Sequence, residues 1–152
     1  MSILFINGSP NKNGNTVSLA KAALSNKDYE TLNLVDCKLY SYGQHFDDDQ
    51  LDEILEAMET ADAIVIGSPV YWHNLSGAVR NLLDRLYGAL PYGSSGPLSG
   101  KRLALLYQGA APVKWMMEAG EYSMKKFCEI YGLDYLGMAS TVSEAEKLSQ
   151  CI

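Results

Sequence analysis

The chain has 152 residues, 47% of them hydrophobic and 20% charged, the balance of a globular protein and not of a disordered one. At roughly 150 residues per domain this length predicts a single domain, which buries about 68–70% of its unfolded surface without disulfide or metal staples. Twelve basic against eighteen acidic side chains leave a net charge of −6, with the Lys and Arg scattered; nucleic acid is excluded as a partner, because neutralising phosphates needs the opposite sign or a basic stripe.

Two patterns alternate along the chain. Residues 3–6 form a short apolar run halted by the turn cluster Asn7-Gly8-Ser9-Pro10. From Thr16 onward Val17, Ala20, Ala23 and Leu24 recur at helical spacing. Residues 31–35 make a second strand candidate. Leu51, Ile54, Leu55 and Met58 then mark a helix preceded by Asp47-Asp48-Asp49, acids suited to capping its N-terminus and meeting its dipole. Residues 63–66 are the clearest strand, apolar without a break and ended by Gly67-Ser68-Pro69, as in a parallel sheet covered on both faces.

Leu75, Val79, Leu82, Leu83 and Leu86 predict the next helix, and residues 88–100, with four glycines and two prolines, a long surface loop. A fourth strand over 103–107 leads into a long helix over 114–131 that contains Trp115, Met116, Phe127 and Ile130. A fainter fifth strand spans 135–140, and Ser143 with Glu146 spells a capping box for a short last helix. Five strands alternating with helices predict an α/β fold, a doubly wound parallel sheet with helices on both faces. Ligands of such sheets sit outside the carboxyl ends of the strands, which singles out residues 8–16, 36–46, 68–76 and 108–113.

Cys37, Cys128 and Cys151 are far apart and odd in number. They predict reduced thiols in a cytoplasmic protein, with no disulfide framework and no metal site. The apolar runs are strand-sized, well short of the roughly 18 residues of a membrane span, so no membrane partner is expected. The opening MSILFINGSP has no basic region and reaches turn residues within one strand length, so it is not read as a signal peptide.

The loop Gly8-Ser9-Pro10-Asn11-Lys12-Asn13-Gly14-Asn15-Thr16 follows a strand and opens a helix. Backbone N–H groups and the helix dipole there suit an anion, with Ser9, Asn15 and Thr16 as further donors. It spells neither GxGxxG nor GxxxxGK[ST], and a plain strand–helix turn is the competing reading. The segment Gly67-Ser68-Pro69-Val70-Tyr71-Trp72-His73-Asn74 places two aromatics directly after the best strand. Aromatic faces beside exposed amides suit a flat heteroaromatic ligand; alternatively Tyr71 and Trp72 pack down onto the core. His73 reads as a solvated or hydrogen-bonded side chain sooner than as an acid–base group. Gln108-Gly109-Ala110-Ala111 is small enough to let backbone approach a ring edge.

Taken together, Gly8-Ser9-Pro10…Asn13-Gly14-Asn15-Thr16, Gly67-Ser68-Pro69-Val70-Tyr71-Trp72…Ser76-Gly77…Asp84-Arg85 and Pro97-Leu98-Ser99-Gly100-Lys101 closely resemble the NAD(P)H-dependent FMN reductases of the flavodoxin-like group, nearest their iron–sulfur flavoprotein branch. The resemblance implies a flavodoxin-like sheet of strand order 2-1-3-4-5, FMN as cofactor, NAD(P)H as co-substrate and a homodimer. It implies that Ser9, Asn15 and Thr16 hold the FMN phosphate. Asn11 stands where the family often has arginine, and Lys12 supplies the charge instead. Pro69, Val70, Tyr71, Trp72 and Asn74 would line the isoalloxazine ring and its polar edge, and Gln108 and Gly109 would approach it from the fourth-strand loop. Where the iron–sulfur branch carries a compact cysteine cluster, this chain has Cys37-Lys38-Leu39-Tyr40-Ser41-Tyr42-Gly43, and one thiolate cannot hold a cluster that takes about four. The chain also ends soon after the fifth strand, where family members usually continue.

The expected activity is transfer of hydride from a nicotinamide to FMN and onward to a quinone, a nitro or azo compound, or free flavin. Two other readings remain open: a flavodoxin-type electron carrier, and an interaction domain that has lost its cofactor.

Overall fold

The computed structural model describes residues Met1–Ile152. The unbroken apolar runs become central strands because a strand alternates its side chains between two covered faces. β1 (Ile3–Asn7) is buried along its whole length: Leu4 and Ile6 enter one core, Ile3 and Phe5 the other. β3 (Ala63–Tyr71) and β5 (Arg102–Gln108) divide in the same way, with Ile64, Ile66, Leu103 and Leu105 on the first side and Val65, Ala104 and Leu106 on the second. β2 (Glu30–Asn33) and β6 (Asp134–Ala139) pair parallel at the two edges, giving the order β2-β1-β3-β5-β6. The β5–β6 register slips between Leu103 and Ala104, which face Tyr135 and Gly137 and leave Leu136 as an extra residue.

The helices cover the two faces unequally. α2 (Leu51–Thr60), α3 (Gly77–Ala89) and α4 (Lys114–Tyr131) bury Ile54, Met58, Val79, Leu82, Leu86, Met124 and Phe127 in the larger core. α1 (Asn15–Ala23) and α5 (Val142–Leu148) close the smaller one with Leu19, Ala20, Ala145 and Leu148. The parallel sheet, the expected order and the placement of helices on both faces all hold.

Four sequence expectations are corrected. The sheet has six strands, because β3 runs on through Ser68, Pro69, Val70 and Tyr71 and folds back on a short β4 (Asn74–Leu75). Leu75 therefore belongs to a strand, and α3 begins after Ser76, whose hydroxyl accepts the Val79 N–H. The last helix is capped by Thr141 and Glu144 and not by Ser143 and Glu146. The residue at the α2 N-cap is Gln50, although Asp49 Oδ1 does accept the Leu51 N–H at 3.0 Å. Smaller shifts put residues 34–36 into a short 3-10 turn and extend α3 into the stretch expected as loop. That loop is anchored by buried Leu90 and Leu98.

Lys101, just ahead of β5, donates to the carbonyls of Glu59 (2.5 Å) and Ala61 (2.7 Å). A cation there satisfies carbonyls that the end of α2 leaves free and meets the negative end of its dipole. Lys101→Ala is expected to lower stability by about 1 kcal/mol, read as a lower urea midpoint at unchanged slope. An unmoved midpoint would show the contact to be inert.

Candidate functional site

The carboxyl ends of β1, β3 and β5 open on one rim, where the first loop, the β3–β4 hairpin and the β5–α4 loop meet. The first loop is shaped by its own amides. Asn7, fully buried, donates from Nδ2 to Asn33 Oδ1 on β2 (3.0 Å) and accepts the Ser9 N–H at its Oδ1 (3.1 Å). The Ser9 hydroxyl accepts the Asn11 N–H (3.1 Å), and Asn11 Oδ1 accepts the Asn13 N–H (2.9 Å). Short polar side chains thus fix successive turns that lead into α1.

The N-terminus of α1 has Gly14 at its cap position, no side-chain cap and no acid in its first turn. The N–H groups of that turn lack helical partners, and the positive end of the dipole points outward. Thr16 is buried, and its Oγ1 accepts from Gln108 Nε2 at 3.2 Å, which ties the first loop to the end of β5. Lys12 pairs with Asp36 at 2.6 Å, both half-exposed.

The second wall is held to the first by serine hydroxyls. Gly8 N–H donates to Gly67 O (2.8 Å), Ser76 Oγ donates to Gly8 O (2.8 Å), and Ser76 N–H donates to Ser68 Oγ (2.8 Å). A crevice of about 130 Å³ lies here between Ser9, Pro10, Val35 and Tyr71. On the far side Gly109 packs so closely on Val70 that a Cβ would stand 2.9 Å from Val70 Cβ, so glycine is what lets this backbone reach the rim.

Tyr71 is 49% and Trp72 93% exposed, so these aromatics do not pack down onto the core. Trp72 and His73 form the two-residue turn of the β3–β4 hairpin, and Asn74 Oδ1 accepts the Leu75 N–H at 2.8 Å. His73 stacks on Trp72 (5.7 Å between centroids, 10° between planes) and meets the edge of Trp115, from the first turn of α4, at 5.3 Å and 68°. The rim thus gathers Ser9, Asn11, Asn15, Thr16, Gln108 and Gly109 from two loops and Pro69–Trp72 from the third, with Lys12 turned toward Asp36. The sequence reading placed Trp115 only on the α4 helix and favoured a solvated or hydrogen-bonded His73 over an acid–base one. Periodicity places Trp115 on a helix, but no local signal brings it to a turn 42 positions earlier.

A larger hollow, about 540 Å³, lies at the opposite end of the sheet and is lined by Asp28, Glu30, Glu53 and Glu56. Its carboxylates repel a phosphorylated ligand, and it lies away from the carboxyl ends of the strands, where α/β ligands bind.

The sequence profile of the family described as NADPH-dependent FMN reductase matches residues 1–144. An iron–sulfur flavoprotein of Archaeoglobus fulgidus is 39% identical over 98 residues, 56% of this chain and 48% of that protein. The chain spans about half the length of the curated relatives it matches. Among solved structures, the Trp repressor binding protein of Bacillus subtilis superposes with a TM-score of 0.74 at 19% identity, covering 96% of this chain and 98% of that one. An FMN-dependent NADH-azoreductase of Bacillus anthracis, in complex with FMN, gives 0.65 at 15% identity, covering 99% and 97%. At these identities the likeness is one of fold, flavodoxin-like in both cases.

The residues present do not fit an iron–sulfur cluster, which takes about four thiolates. Cys37 is partly buried with its thiol pushed up by burial and then by Asp36 and Glu53; Cys128 lies inside α4 with its thiol pushed up to about 12 by burial; Cys151 is exposed near the C-terminus. FMN fits better: an uncapped helix N-terminus free of acids suits its phosphate, and the open aromatic wall beside Gly109 suits its ring. Fold, rim and profile agree, and the chain belongs to the NADPH-dependent FMN reductase family.

Proposed function

We propose that this protein is an FMN-dependent NAD(P)H oxidoreductase that delivers electrons to a small acceptor, a quinone, a nitro or azo compound, or free flavin. The observation that carries this reading is the α1 N-terminus, left without a side-chain cap or an acid, at the end of a loop whose Gly8, Ser9 and Pro10 share a crevice with half-exposed Tyr71. Bound there, FMN supplies the hydride chemistry, so neither a protein nucleophile nor a metal is needed.

The chain's own residues bind and orient. Ser9, Asn15 and Thr16 add hydroxyl and amide donors to the first-turn N–H groups around the phosphate, and the Asn11 turn fixes the loop. Lys12 moves to the phosphate by giving up Asp36, a half-exposed pair worth no more than about 1 kcal/mol. Pro69, Val70, Tyr71, Trp72 and Asn74 line the ring, with Gln108 and Gly109 at its other edge. Exposed Tyr87, Tyr92, Trp115 and Tyr122 on and between α3 and α4 support a homodimer through that face. A molar mass near the 16.7 kDa of one chain by light scattering would exclude it. A cytoplasmic location goes with this chemistry and with the free thiols.

Anaerobic stopped-flow reduction of the FMN-loaded protein by NADH and by NADPH tests the reading. Fast bleaching of the flavin by either nucleotide is the expected result. The net charge of −6 favours a second reading, an electron carrier that meets basic partners by electrostatic steering. Negligible bleaching by both nucleotides, with full reduction by dithionite, would select the carrier.

A further inference from the structure

Asn7 is fully buried at the end of a central strand, where an apolar side chain would fill the space without the cost of desolvating an amide. Both ends of its carboxamide are used. The Ser9 N–H can only donate, so the atom 3.1 Å from it is Asn7 Oδ1, and Nδ2 is left facing β2. There it meets Asn33 Oδ1 at 3.0 Å, on the residue that is its partner in the parallel ladder. Asn33 is half-buried and stands outside the crevice of Ser9, Pro10 and Tyr71, yet it supplies the acceptor that holds Asn7 in this orientation. The contacts continue into the loop: Ser9 Oγ accepts the Asn11 N–H (3.1 Å), and Thr16 Oγ1 accepts from Gln108 Nε2 (3.2 Å). Each of these hydroxyls has a lone pair occupied by the protein, which leaves its own hydrogen to turn toward a phosphate oxygen.

We propose that Asn7 and Asn33 are positioning residues that set the 8–16 loop in its phosphate-binding form before the ligand arrives, and so make the site select FMN over riboflavin. This role rests on the oxidoreductase reading, whose cofactor it concerns; neither asparagine touches the flavin. A loop that must be ordered on binding draws on the binding free energy, and a loop already ordered does not. Riboflavin lacks the phosphate and gains nothing from the loop, so preorganisation favours FMN alone. Without an acceptor at position 33, Asn7 Nδ2 is left buried and unpaired, the carboxamide turns to find another partner, and the Ser9 N–H loses Oδ1. The Ser9 hydroxyl then loses its place beside the Asn11 N–H. The ring wall comes from β3 and from Gly109 after β5, and the change at β2 does not touch it.

The test compares the unaltered protein with Asn33→Leu, which removes the acceptor, and with Asn33→Asp, which keeps one for Asn7 Nδ2. FMN and riboflavin are each titrated with protein, and binding is read from the change in flavin fluorescence. In Asn33→Leu the FMN dissociation constant is expected to rise about tenfold while that of riboflavin stays within about twofold. Amide hydrogen exchange on the flavin-free proteins gives a second readout that needs no ligand. The Ser9 and Asn11 amides should be protected in the unaltered protein and in Asn33→Asp, and should exchange faster in Asn33→Leu while the amides of β3 and β5 keep their rates. A merely structural role would weaken both flavins alike and speed exchange across the sheet, and that result would overturn the proposal. So would an unchanged FMN affinity in Asn33→Leu, or Ser9 and Asn11 amides that exchange at one rate in all three proteins. An unaltered protein that takes up neither flavin would sink the oxidoreductase reading itself, and the selectivity with it; a protein that binds FMN and riboflavin with a ratio indifferent to position 33 would sink the positioning role alone.

Discussion

Alanine at Gly8 is expected to lower stability by about 3 kcal/mol or more and to abolish FMN binding with it. A Cβ at Gly8 would overlap Val79 Cγ2 and stand 2.8 Å from Gly67 O and 3.2 Å from Ser76 Oγ. None of these neighbours can yield cheaply. Val79 is fully buried in the larger core, and Gly67 O is backbone that accepts the Gly8 N–H. Ser76 Oγ is engaged with Gly8 O and with the start of α3. Relief requires the first loop to move off β3, which would also break the ties that hold both walls of the rim together. Gly77→Ala is the control: nothing lies within 4 Å of a Cβ there, and the position opens α3, so alanine should be neutral or mildly stabilising. Urea midpoints and FMN titration of the two variants decide the matter. A Gly8→Ala protein with an unchanged midpoint would refute the packing account.

Arg85→Ala is expected to release residues 38–50 from α3 at a cost of about 2 kcal/mol. Arg85 grips both oxygens of Asp49 (Nη1–Oδ2 2.6 Å, Nη2–Oδ1 2.9 Å) and donates to Tyr40 O at 2.8 Å. Asn81 adds donations to Leu39 O and Tyr40 O. The paired side chains keep only 14% and 16% of their surface, so the interaction lies between the exposed and the buried extremes.

The same pair predicts an acid limb. The Arg85 guanidinium holds the Asp49 carboxyl down from 3.8 to about 2. A carboxyl depressed in the folded state stabilises it fully above its unfolded value and loses that contribution as pH falls from about 4 toward 2. Asp49→Asn should therefore fall less steeply than the parent across this window, by about 1 kcal/mol after allowing for solvent screening. Asp48 and Asp62, held low chiefly by Lys38 and by the Ser2 N–H respectively, contribute to both curves, so the difference isolates Asp49. Parallel urea midpoints from pH 7 to pH 2 would count against the assignment.

The sheet was legible because its strands are buried on both faces, and two-sided burial writes continuous apolar runs into β1, β3 and β5. The end of β3 was not. Gly67-Ser68-Pro69 carries turn residues, yet β1 stops at Asn7 opposite Gly67, so Ser68 and Pro69 have no β1 partner, and a strand tolerates proline where a flank is unpaired. The last cap was ambiguous for a different reason: Thr141 with Glu144 and Ser143 with Glu146 spell the same pattern two residues apart, and only the path of the chain out of β6 selects the first. The small-residue loop at 8–16 and the aromatics at 71–72 suggested an anion and a ring site by their chemistry, and the structure brings Gly8, Ser9, Pro10 and Tyr71 to one crevice. The meeting of His73 with Trp115 depends on tertiary approach alone and leaves no mark on either segment.

The slipped register of β6 reaches beyond this one molecule. An incoming strand that tried to extend the sheet past β6 would find its ladder interrupted at Leu136, with Gly137 at a φ of +126° turning the following residues out of line. β2, at the other margin, offers four residues before the chain winds into a 3-10 turn. Neither border provides a long, flat template for another strand, a geometry that disfavours edge-to-edge pairing.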